Sequence, residues 1–194
     1  MLAAECAWAI LRSEHARIRS LLALIEQAIE RPGQIPSETL AASLLVLIER
    51  LEVFESTTHR PKGVVMVEIM RGRSPAAAQL LTRLEQESAL CHQLLLRAKT
   101  LLRRFVAGTD LDWVAIHTVL GEHRALMLAH LDQEDTLLHS QTALLLTAQE
   151  WAAVASSISD AVRRDQERQR APTRRPPAPG GRRAGESARA FRSI

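Results

Sequence analysis

The sequence predicts an all-α protein: an up-down-up-down four-helix bundle with a short fifth helix and a disordered C-terminal tail. Three observations carry that expectation. Leu and Ala dominate, aromatic residues make up 3% and Tyr is absent, which is a composition of helix formers rather than strand formers. Apolar residues recur at helical spacing in four long segments, and no stretch of useful length alternates as a strand would. Short Pro- and Gly-bearing stretches separate the segments, and short connections favour antiparallel neighbours. With 194 residues, 46% of them hydrophobic, the chain can bury one sizeable core.

The first segment places Leu11, His15, Ile18, Leu22, Ile25 and Ile29 on one stripe and ends near Pro32-Gly33 and Pro36. A second stripe, Leu44, Ile48, Leu51, Glu55 and His59, continues through Gly63 and stops between Gly72 and Pro75. On the third helix Leu81, Leu84, Ser88, His92 and Leu95 line up before Gly108-Thr109-Asp110. The fourth carries Ile116, Leu120, His123, Met127, His130, Glu134 and Leu137. Thr147-Ala-Gln-Glu150 forms a capping box that opens the fifth helix, with Trp151 in its first turns. The expected organisation is a bundle over residues 1–167 and a tail over 168–194.

Charge divides a few residues before that boundary. After residue 162 there are ten Arg against Asp165, Glu167 and Glu186, which leaves 15 basic and 19 acidic residues in the body. A sequence pI near 9.5 thus reflects a basic Arg/Pro-rich tail on a mildly acidic bundle. Only that tail offers an electrostatic contact to nucleic acid; the body carries no such footprint, and nucleic acid is not an expected partner. No uncharged apolar run reaches the roughly 18–20 residues of a membrane span, and the N-terminal run is interrupted by charge, unlike a signal peptide. Cys6 and Cys91 are too few for a disulfide framework, so a reduced, cytoplasmic setting is expected. There is no phosphate-binding glycine loop, zinc-finger spacing or defensible nucleophile–base pair, and the chain is not expected to be an enzyme.

Each of the four helices carries one histidine on its inward stripe: His15, His59, His92 and His130. Glu134 follows His130 by one turn on the same face. Imidazole nitrogen with carboxylate oxygen suits iron, zinc or manganese. One histidine in a core is commonly a satisfied packing residue; four at one level need either a metal or a closed hydrogen-bond network. His123 is expected to pack or to support the site, while His117 and His139 belong to the boundary or surface.

These residues stand in motifs that resemble the hemerythrin-like HHE cation-binding domains. "LRSEHARIRSLLALIE" resembles the first-helix signature, "FESTTHRPKG" the second-helix F-x-x-x-x-H-H-P-K-E, and "LEQESALCHQLL" the third-helix L-E-x-x-H-x-x-x-H. "AHLDQEDTLL" resembles the fourth-helix H-x-x-x-E-E, and "LTAQEW" the L-T-x-x-D-W start of a last helix. The resemblance spans about residues 11–155. It implies His15, His59, His92, His130 and Glu134 as metal ligands, Asp135 as an alternative carboxylate, and non-haem iron as the cofactor, binding or sensing dioxygen or a related diatomic.

Two positions depart from the pattern. Gly63 stands where the family has a glutamate that bridges two irons, and Ser88 stands where the third helix has its first histidine. Carboxylates neutralise part of the cations' charge in a low-dielectric core, so the losses predict one metal rather than two. Glu55 is a possible substitute carboxylate; Glu87 and Cys91, each a helical step of about 100° from the ligand line, are expected to point elsewhere. The competing expectation is a metal-free interaction or regulatory bundle that keeps only the fold.

Overall fold

The structure is a computed structural model that describes residues 2–30, 35–109 and 112–170. These residues are helical and include no strand. Helix α1 spans Leu2–Glu30. Helix α2 (Glu38–Phe54) runs through a π-helical turn, Glu55–His59, into α3 (Arg60–Arg71). Pro75–Val106 forms α4. Helix α5 (Trp113–Gln133) likewise runs through a π turn, Glu134–Leu138, into α6 (His139–Leu145). The last described helix, α7, spans Ala148–Arg170.

Local chemistry sets the ends. Ser37, Ser74 and Asp112 each accept a backbone N–H from the residue three places on, capping α2, α4 and α5. Pro75 sits in the first turn of α4, where a missing N–H costs nothing. Gly108, at φ +66°, turns the chain out of α4 with its N–H on the Phe105 carbonyl, a left-handed conformation that glycine takes without strain. The capping box forms as expected: Glu150 N donates to Thr147 Oγ1, and Thr147 N donates back to Glu150 Oε2 at 2.9 Å.

Helix α1 packs beside α2, α2 beside α4, α4 beside α5, and α5 beside α1. That closed ring of four rods is the up-down-up-down bundle. Helix α7 lies against α1 and α3. It is not short: its 23 residues exceed the 21 of α5, and it continues through residues 168–170, which the expected organisation assigned to the tail. Its end is held by Arg168, which donates to the Thr57 carbonyl at 2.5 Å. Residues 171–194, the remainder of the expected tail, lie outside the described residues. No described helix is long and apolar enough to cross a membrane.

The core is split in two. One apolar cluster gathers Ile18, Leu22, Leu44, Ile48, Leu95, Leu102 and Ile116, among others. The second holds Trp8, Leu11, Met66, Leu81, Leu138 and Trp151. Between the two, along every rod of the ring, lies a layer of ionisable side chains.

Candidate metal centre

Both π turns lie at that layer, and each carries a site residue: His59 ends the first and Glu134 begins the second. The first has a visible cause. Pro61 has no N–H, and inside an α-helix its ring would clash with the Thr57 carbonyl. The widened turn lets Arg60 N–H bond the Glu55 carbonyl instead, and Thr57 O accepts from Arg168. Ser56 and Thr57 hydroxyls bond carbonyls one turn back, as does Thr136 in the second turn, at 2.6 Å; such back-bonding loosens a helix. Each π turn adds a residue to its turn and so re-aims the side chains beyond it.

Glu134 stands at the centre. Its Oε2 lies 3.1 Å from His15 Nε2 and 3.7 Å from His59 Nε2, and its Oε1 lies 3.5 Å from His130 Nε2. Ligand atoms of His15, His59 and Glu134 all fall within 4.8 Å of one another. The other nitrogen of each imidazole meets a different carboxylate. His15 Nδ1 lies 2.7 Å from Asp135 Oδ1, His59 Nδ1 3.3 Å from Glu14 Oε2, and His130 Nδ1 3.3 Å from Glu87 Oε2. An outer carboxylate on Nδ1 fixes the tautomer that leaves Nε2 free as a ligand.

The outer carboxylates are anchored in turn. Arg19 donates to Asp135 at 2.9 Å and to Asp132 at 2.8 Å. Gln133 donates to both oxygens of Glu87. Lys62, only 2% exposed, lies 2.5 Å from Glu14 and 3.1 Å from Asp165 of α7, and donates to the Thr58 carbonyl at 2.7 Å. Burying an ammonium is costly unless such a set of acceptors surrounds it.

The electrostatics reflect this arrangement. Burial opposes a charge on His59, but Glu134 and Glu14 outweigh it and push its pKa up to about 9. His130 is raised for the same reasons, burial again opposing and Glu134 and Glu87 prevailing. Burial would raise Glu134, yet its three imidazole neighbours hold it well below the ordinary carboxylate range. Glu55 shifts upward, chiefly through burial. Without a cation, then, the centre stores positive charge on histidine around an ionised Glu134.

The donor set fits a cation. His15 Nε2 is buried and has no hydrogen-bond partner: although 3.1 Å from Glu134, it lacks the geometry of a hydrogen bond. An orphaned buried nitrogen costs roughly 1–3 kcal/mol, and a metal ion between it and the carboxylate would satisfy both. Compared with protein-family profiles, residues 6–141 match the hemerythrin HHE cation binding domain. The chain belongs to that family. No curated protein matches it.

In this HHE domain the four-histidine convergence expected from the stripes is incomplete. His15, His59, His130 and Glu134 share the layer, but His92 is exposed. It lines the cavity beside the site without joining the ligand group. The physical reason is helical phase: from Leu84, a period of 3.6 residues returns to the core near 88, 91 and 95, and between residues 84 and 95 the buried residues of α4 are Leu84, Cys91 and Leu95. Cys91 therefore faces inward, but burial, then Glu55 and Glu87, push its thiol up to about 12. It stays protonated and packs as a small hydrophobe.

Glu87 does reach the site, contrary to expectation, by facing α5 rather than the centre. Asp135, the alternative ligand carboxylate, takes the outer position on His15. His123 is buried in a site of its own and stays neutral, pushed down to about 4 by burial. His117 is exposed, and His139 meets Trp8 edge-on at 4.9 Å. Glu14 carries no role on the sequence alone, and Lys62 stands there only as a matched position of the second-helix motif. A signal existed for Lys62, because it shares the buried stripe of Met66 and Met70, where an unpaired cation would not be tolerated.

Proposed function

We propose that this chain binds a single non-haem iron ion through His15, His59 and Glu134, with His130 on the far oxygen of Glu134. The observation that carries the proposal is the two-sided setting of the imidazoles: each Nε2 faces Glu134 and each Nδ1 faces an outer carboxylate. Two histidines and a carboxylate with open positions form a donor set suited to ferrous iron. Iron held there would supply a redox-active centre able to take dioxygen or a related diatomic as its ligand. The chain's own part is to orient the imidazoles, keep Glu134 ionised, and flank the layer on two sides with the apolar clusters.

One ion fits better than two. Oε2 of Glu134 faces two imidazoles, whereas Oε1 faces one. The remaining positions of that second half hold Ser88, Gly63 and an exposed His92. Elemental analysis of protein purified without a chelating tag and loaded anaerobically with ferrous iron tests this. About one iron per chain is expected, lost in His15→Ala, His59→Ala and Glu134→Ala and kept in His92→Ala. Two tightly held irons would overturn the single-ion reading. Failure to retain any metal would leave a metal-free interaction bundle as the function.

A further inference from the structure

A cavity of about 590 Å³ opens beside the histidine layer, well within the size of ligand sites. Two small residues on facing rods leave it open: Ser88 on α4 and Gly63 on α3, where an added Cβ would meet nothing within 4 Å. Its inner wall is apolar, with Trp8, Leu11, Leu81, Leu84 and Leu138. The deep end is the imidazole layer, and Arg60, Val64 and His92 stand exposed at the mouth.

Charge on the lining is unevenly satisfied. Arg71 and Glu85 pair with each other. Arg60 donates only to the neutral Ser88 hydroxyl, at 3.3 Å; no carboxylate among the described residues lies within salt-bridge distance of it, and Glu55 feels its charge only from farther off. Glu68 is exposed at the rim, and Glu55 lies deeper. The combination is an apolar trough with a guanidinium and the His92 imidazole at its mouth.

We propose that this cavity binds an organic monocarboxylate with a medium-length apolar chain. Its carboxylate would sit on Arg60 and His92 at the mouth, and its chain along the Trp8–Leu81–Leu84 wall. A guanidinium left with one neutral partner gains a charge-assisted pair, and the apolar wall gains cover from water. Binding of the carboxylate does not depend on a metal in the layer, so it is distinct from the iron proposal and fails or succeeds separately.

The probe is decanoate below its micelle concentration, titrated into the full chain before and after iron loading and read by calorimetry and tryptophan fluorescence, Trp8 lying in the wall. Saturable one-to-one binding is expected in both forms. Arg60→Met, which keeps the aliphatic stem, should weaken it about tenfold, equivalent to about 1.4 kcal/mol. Gly63→Leu grows into open space and should abolish binding while leaving the melting temperature unchanged or higher. Should decanol bind as tightly as decanoate, or Arg60→Met have no effect, the anion assignment is overturned. Absence of saturable binding, or binding undiminished in a folded Gly63→Leu chain, overturns the cavity itself.

Discussion

Raising the pH should weaken the metal-free protein through one identifiable group. His59 carries a proton that Glu134 and Glu14 hold, with its pKa raised from 6.5 to about 9. A group whose pKa is raised on folding lends stability that is complete below its unfolded value and is lost as pH climbs through the folded value. The window is therefore pH 6.5 to 9. At about 1.4 kcal/mol per pH unit, the loss across it is about 3 kcal/mol; the side chain is only 16% exposed, so solvent screening removes little of this. His130 shifts in the same direction, and a comparison is needed to isolate His59. Urea unfolding of chelator-treated protein should be followed from about pH 6 to about 9.5, on either side of that window, beside His59→Gln. The parent should lose about 3 kcal/mol more than the variant across the window. Metal affinity should move the opposite way, rising up to about tenfold per pH unit below about 9, because the ion must displace the proton. Identical pH slopes in parent and variant would refute the reasoning, since they would mean that His59 carries no stored proton.

The same contacts set three further outcomes. Lys62→Met strands Glu14 and Asp165 without their shared cation and should cost about 3–5 kcal/mol, read as a fall in urea midpoint; it should also weaken metal retention through the loosened His59. Gly63→Glu combined with Ser88→His should raise iron above one per chain by elemental analysis. Gly63→Glu alone should stabilise α3 by about 1 kcal/mol in thermal unfolding, as a helix-interior glycine is lost. A chain ending after Arg170 should keep its melting temperature and its metal. One ending after Gln166 should melt lower, because it lacks the Arg168 contacts to Thr57 and Asp165.

The all-α class, the rod boundaries and the layer that would hold a metal were legible in the sequence because each is a property of one helix. Apolar period selects the buried stripe, Ser and Asp caps and Pro or Gly set the ends, and a histidine on a stripe must be at core depth wherever its helix packs. His15, His59, His130 and Glu134 are legible in this way. Helical phase was less legible. An error of one residue rotates a side chain by about 100°, enough to exchange Cys91 for His92, and the two π turns change the phase within a rod. Features that belong to no single helix were decided only by the tertiary structure. The partners of the three imidazoles lie 120, 45 and 43 residues away in sequence, and Lys62 reaches Asp165 across 103. Spacing within a helix cannot encode such pairs. They exist because packing removes water from several rods at once, and each buried charge then has to find its counterpart on a neighbour.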